Sequence, residues 1–268
     1  MQFIVQGYPA YAYTGSREFD PARPTIVFVH GAAFDHSVWQ WQSRYFAHHG
    51  FNALAVDLPA HGRSPGIVRA TIAEWSSWLL ALLDAAELGQ AVLVGHSMGS
   101  LVTLEATLAA AQRVSRLALV GTSVPMPVGE AFLSAARDDP PTAFDMEAVW
   151  GHARNGQLAQ SAVPGTTLLG ASRSLNERSR PGVLHADLAA CNAYRPSMDA
   201  VRAMKTPTLV VAGKRDQMTP FRAGKALASE IAGARFVALD AGHSMMSEAP
   251  RELLAALRDF VAAQAPVS

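Results

Sequence analysis

Ser97 stands in Gly95-His96-Ser97-Met98-Gly99, between the apolar run Ala91–Val94 and a stretch with helical periodicity. That order predicts a buried strand, a tight turn and a helix. A serine at such an apex must take a sparsely populated backbone conformation. Gly95 and Gly99 lack a Cβ and so let strand and helix approach closely. The turn lifts the hydroxyl clear of the backbone and aims the unpaired N–H groups of the helix start toward it. The Met98 N–H is then placed to donate to a developing oxyanion. A neutral serine is a poor nucleophile, so this chemistry needs a base to take its proton.

The chain has nine histidines. His30 and His61 lie in Gly-containing loops and His36 precedes a helix, where loop-shaping, capping or surface roles suffice. His48 and His49 fall on a surface helix, and His96 flanks the serine, pointing elsewhere. His152 and His185 fall in an irregular middle region. His243 alone follows the last predicted strand, in a Gly-flanked loop, and is the candidate base. A base needs a carboxylate to hold its tautomer and stabilise the imidazolium. Asp216, at the end of the preceding strand, and Asp240, three residues from His243, are the rivals. Asp57 ends an earlier strand and is read as fixing the loop around His61-Gly62-Arg63.

These residues need positioning elements. Strands are predicted over residues 2–5, 9–14, 25–29, 52–56, 91–94, 114–120, 208–212 and 235–239. Helices are predicted over about 39–49, 71–88, 98–111, 221–231 and 249–263. Strands alternating with helices imply an α/β fold with a mostly parallel sheet covered on both faces. Functional loops then gather at the C-terminal strand ends. His30, Asp57, Ser97, Asp216 and His243 all sit there. Residues 124–204 break the rhythm with prolines and short helical patches.

Together, His30-Gly31, Asp57-Leu58-Pro59-Ala60-His61-Gly62-Arg63-Ser64, Gly95-His96-Ser97-Met98-Gly99, Gly213-Lys214-Arg215-Asp216 and Gly242-His243 resemble the α/β-hydrolase fold family. The likeness is to its branch of carboxylesterases, haloperoxidase/perhydrolases and meta-cleavage-product hydrolases. The resemblance implies an eight-stranded, mostly parallel sheet with helices on both faces. It divides the chain into a core, 1–123 and 205–268, and a mainly helical cap, 124–204, inserted after strand 6. It implies the chain order Ser97, Asp216, His243 for the triad, and Ala32 beside Met98 as oxyanion donors. Family members with dehalogenase or epoxide hydrolase activity carry Asp at the turn apex, where this chain has serine.

The expected reaction is cofactor-independent hydrolysis of a small or medium carboxylic ester through an acyl-enzyme. C–C hydrolysis of meta-cleavage dienoates, acyl transfer or perhydrolysis, and a receptor role on the same fold are the alternatives. Phe34, Trp39, Met126, Phe132, Trp150 and Met218 are the apolar candidates for the substrate pocket. Neither a dinucleotide fingerprint nor metal-ligand spacing is evident, so neither cofactor nor metal is expected. A formal net charge of zero argues against a nucleic-acid partner. No apolar run reaches membrane-spanning length. The single cysteine, Cys191, cannot pair within the chain and is read as a buried bystander. A small-molecule substrate, a cytoplasmic location and a monomer or homodimer complete the expectation.

Overall fold

The computed structural model describes residues 1–158 and 166–262. Its strands are β1 Gln2–Val5, β2 Tyr8–Tyr13, β3 Thr25–Val29, β4 Asn52–Val56, β5 Ala91–His96, β6 Val114–Val120, β7 Thr208–Gly213 and β8 Arg235–Leu239. They form one sheet in the order β1-β2-β4-β3-β5-β6-β7-β8. β1 and β2 pair antiparallel, as do β2 and β4, and every other pairing is parallel.

The helices are α1 Gln40–Ala47, α2 Ile72–Ala85 and α3 Met98–Ala109, then α4 Glu130–Asp138, α5 Pro140–Trp150 and α6 Arg154–Leu158. They continue with α7 Leu168–Glu177, α8 Val183–Ala193, α9 Met198–Ala203, α10 Phe221–Glu230, α11 Met245–Glu248 and α12 Pro250–Ala262. Between β6 and β7 the described elements are the helices α4 to α9. Pro164 and the Ala263 end expected for the last helix lie outside the described residues.

β3 shows why the sheet is covered on both sides. Every residue from Thr25 to Val29 is buried. Val27 and Val29 join a core with α2, α3 and the helical segment after β6. Ile26 and Phe28 join a second core on the opposite face, with Trp39, Phe46 and residues of α12. Alternate side chains point to opposite faces of a strand, so a continuous apolar run needs a partner on each. Helix starts follow capping chemistry. Thr71 Oγ1 accepts from the Glu74 N–H, and Glu74 Oε2 accepts from the Thr71 N–H, a reciprocal box ahead of α2.

Two boundaries differ from expectation. The helix predicted from Trp39 is a 3-10 turn over His36–Trp39, capped by Asp35, leading into α1. The last predicted helix is α12, opened by Pro250, and a short helix outside the predicted range, α11, precedes it; proline fits a first helical position, where its missing N–H costs nothing.

The β5–α3 turn allows almost no space between backbones. A Cβ on Gly95 would lie 2.1 Å from the Gly99 carbonyl oxygen, and one on Gly99 would lie 2.4 Å from that of Val29. Gly95→Ala must push α3 off the sheet. Overpacking of this kind costs about 1–3 kcal/mol, and each kcal/mol lowers Tm by about 2–4 °C in a chain approaching this size. Thermal unfolding is expected to show that fall; an unchanged Tm would refute the close-approach argument.

Candidate active site

Ser97 has φ 52° and ψ −121°, a conformation disfavoured for a residue with a side chain. Its N–H donates to Val120 O at 3.0 Å, which pins the turn to β6. Met98 opens α3, so its N–H has no intrahelical acceptor.

Asp216 and His243 arrive from neighbouring strand ends. Gly213 pairs with Leu239 at the end of the β7–β8 ladder. Beyond it, the Lys214 N–H donates to Leu239 O and the Arg215 N–H to Ala241 O. This keeps the two loops in step up to the catalytic candidates. His243 Nδ1–H donates to Asp216 Oδ2 at 2.8 Å. Asp216 Oδ1 accepts from the N–H groups of Met218 and Thr219, and the Thr219 hydroxyl donates to Oδ2. Burial would raise the Asp216 carboxyl, but His243 and the Thr219 bonds outweigh it and hold the group below its ordinary value. His243 Nε2 is buried without a hydrogen-bond partner. It therefore carries a free lone pair and can accept a proton. Asp240 instead pairs with Arg215 at the surface.

Two other histidines stay neutral beside the site. His96 donates from Nε2 to His243 O at 3.0 Å, its ring 4.6 Å from that of His243. Burial and the neighbouring His243 push its pKa down to about 3. His30 donates from Nδ1 to Gly31 O and accepts the Leu58 N–H at Nε2. Burial and His61 lower it to about 4.

The loop after β3 has an anchor that the sequence did not suggest. Ala33 lies at φ 54°, and its N–H donates to Asp187 Oδ2, on α8, at 3.0 Å. That N–H is spent, which leaves Ala32 as the free neighbour beside Ser97. The same Asp187 oxygen accepts from His61 Nε2 at 2.8 Å, while His61 Nδ1 donates to Pro59 O. Burial would lower the His61 pKa, but Asp187 overrides it and raises it; a doubly protonated ring satisfies both acceptors.

A cavity of about 170 Å³ opens on Ser97, lined by Ala32, Met126, Phe132, Trp150 and Met218 among others. Four of the six predicted pocket residues thus line it. The other two do not. Trp39 is fully buried in the core against Phe28 and His96, because the 3-10 turn rotates it under the sheet. Phe34 lines neighbouring clefts on the far side of the Ala33 turn. Cys191 is buried as expected but also lines the cavity, and burial pushes its thiol pKa far up. His36 is not a simple cap: Nδ1 bonds Asp57 Oδ1 at 2.8 Å. Asp35, His36 and Asp57 bring possible ligand atoms within 4.8 Å of one another. Asp57, however, also accepts the His36 and Arg63 N–H groups, so the trio braces the loop.

The residue that sequence reasoning missed is Glu147. It lines the Ser97 cavity from α5 and is 5% exposed. Burial raises its carboxyl to about 8. Its place three residues before Trp150, on one helix face, was the available signal.

Residues 26–257 match a sequence model described as "Alpha/beta hydrolase family". The pimeloyl-[acyl-carrier protein] methyl ester esterase of Aromatoleum aromaticum is 28% identical over 89% of this chain and 98% of its own. The 3-oxoadipate enol-lactonase 1 of Acinetobacter baylyi is 24% identical over 89% and 88%. The structure of an enol-lactonase from Burkholderia xenovorans LB400 superposes with a TM-score of 0.85 at 24% identity, covering 97% of this chain and 99% of that one.

The Glu147 carboxyl has a thermodynamic consequence. Between its ordinary value of 4.5 and its folded value of about 8, the folded state keeps a proton that the unfolded chain has released. Stability therefore falls as pH rises through that window. Glu147→Gln removes this slope. The Tm of the variant relative to wild type is expected to climb from pH 5 to pH 8; a constant offset would contradict the buried neutral carboxyl.

Proposed function

We propose, for a chain that belongs to the alpha/beta hydrolase family, that it hydrolyses small carboxylic esters through an acyl-enzyme on Ser97. The observation that carries this reading is His243. Asp216 holds its Nδ1 and its Nε2 is left unpartnered, in a cluster with the strained serine turn.

Ser97 Oγ attacks the ester carbonyl carbon while His243 Nε2 takes the hydroxyl proton. Asp216 holds the ring and stabilises the imidazolium. The oxyanion receives hydrogen bonds from the N–H groups of Ala32 and Met98, and each such donor is worth about 2.7–4 kcal/mol at the transition state. Collapse breaks the acyl–oxygen bond, and His243 gives its proton to the departing alkoxide. Water, deprotonated by His243, then attacks the acyl-enzyme and the acid leaves. Residues 124–204 act as the cap that walls the cavity, through Met126, Phe132, Glu147, Trp150 and Leu188.

The cavity limits the substrate. An apolar cavity of about 150 Å³ holds a benzene-sized molecule, so a space of about 170 Å³ suits a short acyl chain. Among p-nitrophenyl esters, acetate or butyrate is expected to exceed laurate in kcat/KM by at least about tenfold, since each buried methylene that does not fit forfeits about 0.8 kcal/mol. Ser97→Ala is expected to lower kcat by about 10⁴ or more, and Asp216→Asn by about 10⁴ with the fold intact. Undiminished turnover by Ser97→Ala would end the acyl-enzyme reading.

A further inference from the structure

The wall of the Ser97 cavity is mostly apolar, with Met126, Phe132, Trp150, Leu188 and Met218. Among the described residues that line it, Glu147 is the one carboxyl, and none is Lys or Arg. Its Oε2 is buried and has no hydrogen-bond partner. Buried polar atoms normally find partners, so this oxygen needs a reason.

A structural brace would look different, and the same fold supplies the comparison. Glu248, also partly buried, spends Oε1 on the Gly242 N–H and Oε2 on the Ala153 N–H. Glu147 has the Asn176 amide within hydrogen-bonding influence, itself buried without a geometrically formed bond, and the Asp187 carboxylate near enough to oppose its ionisation. A carboxyl that stays protonated still keeps its carbonyl oxygen as an acceptor, and at the substrate cavity that oxygen waits for a donor. With no Lys or Arg on its wall, the cavity offers no cation to pair a substrate carboxylate.

We propose that Glu147 is a specificity residue that accepts a hydrogen bond from an O–H or N–H carried by the substrate. The preferred substrates are then short esters bearing a hydroxyl, amide or amine donor, rather than plain alkyl esters or monoesters of dicarboxylic acids. This rests on the ester-hydrolase reading above. A site built to bond a donor discriminates against the analogue that lacks it, because its own polar group is then left unpaired.

The test compares isosteric pairs by kcat/KM in a pH-stat: ethyl 3-hydroxypropanoate with ethyl butyrate, and 2-hydroxyethyl acetate with propyl acetate. Ethyl 3-aminopropanoate shows whether a cationic donor takes the same place, and monoethyl succinate probes carboxylate exclusion. Wild type is expected to favour the hydroxyl ester by at least about tenfold in one pair, equivalent to about 1.4 kcal/mol, and to disfavour the succinate. Glu147→Met is expected to bring that ratio to about one, and Glu147→Gln, which keeps an oxygen acceptor, to hold it within about threefold.

Equal or alkyl-favouring ratios in both pairs for wild type would overturn the proposal. So would a preference for the succinate, an unchanged ratio in Glu147→Met, or a loss of the ratio in Glu147→Gln. Should Glu147→Met not fold, the wild-type ratios and Glu147→Gln still decide. Labelling of Ser97 by phenylmethanesulfonyl fluoride separates the two readings. An enzyme that is labelled and active but shows no preference loses the Glu147 subsite alone. A wild type that is neither labelled nor active on any ester loses the hydrolase reading and the subsite with it.

Discussion

The structure depends on how closely α3 crosses β5 and β3. Gly95 meets the Gly99 carbonyl, and Gly99 meets the carbonyls of Val29 and His30. Only two residues without side chains allow that approach. It forces the chain to reverse within a few residues and leaves Ser97 at positive φ. The cost of that conformation is offset by the ladder on either side, where β5 pairs with both β3 and β6, and by the Ser97 N–H bond to Val120. The strained turn exists because the sheet around it is rigid, and it sets a half-buried serine on the cavity wall at the head of a helix.

Around that turn, buried polar groups divide into those committed to hydrogen bonds and those left open. His30 and His96 are neutral and committed to backbone atoms. Asp216 is held ionised by four hydrogen-bond donors. His96 Nδ1 and His243 Nε2 are both buried without a partner; burial and His243 push His96 down to about 3, which leaves His243 Nε2 as the lone pair able to take a proton. A low-dielectric setting makes every such commitment count, since an unpaired buried group is costly and a paired one is rigid.

The helical segment after β6 grips the core at the same two loops. Asp187 on α8 holds the Ala33 N–H and His61. Glu248, beside the His243 loop, holds the Gly242 N–H and reaches the Ala153 N–H, while the Ser244 N–H donates to Gly151 O. The walls of the cavity and the backbone of the reacting groups are therefore one connected network.

Much of this was legible in the chain alone. Continuous apolar runs marked the central strands, because a strand buried on both faces cannot hide its composition. Gly95-His96-Ser97-Met98-Gly99 declared its turn and His243 stood out by following the last strand, while the choice of Asp216 over Asp240 came with the family resemblance. These are local signals: the residues that must be small, apolar or polar are neighbours of the element they serve. Trp39 and Phe34 misled because an aromatic residue near a loop reads alike whether it turns inward or toward a cleft, and a 3-10 turn decided that. Glu147, Asp187 and His61 could not be paired in advance. Asp187 lies 154 residues from Ala33 and 126 from His61, and only packing of the helical segment on the core brings them together. The sequence by itself determined the sheet, the turn and the three chemical groups. The shape of the cavity, the carboxyl within it and the tie between segment and oxyanion loop were decided by tertiary contacts, which carry no local periodicity.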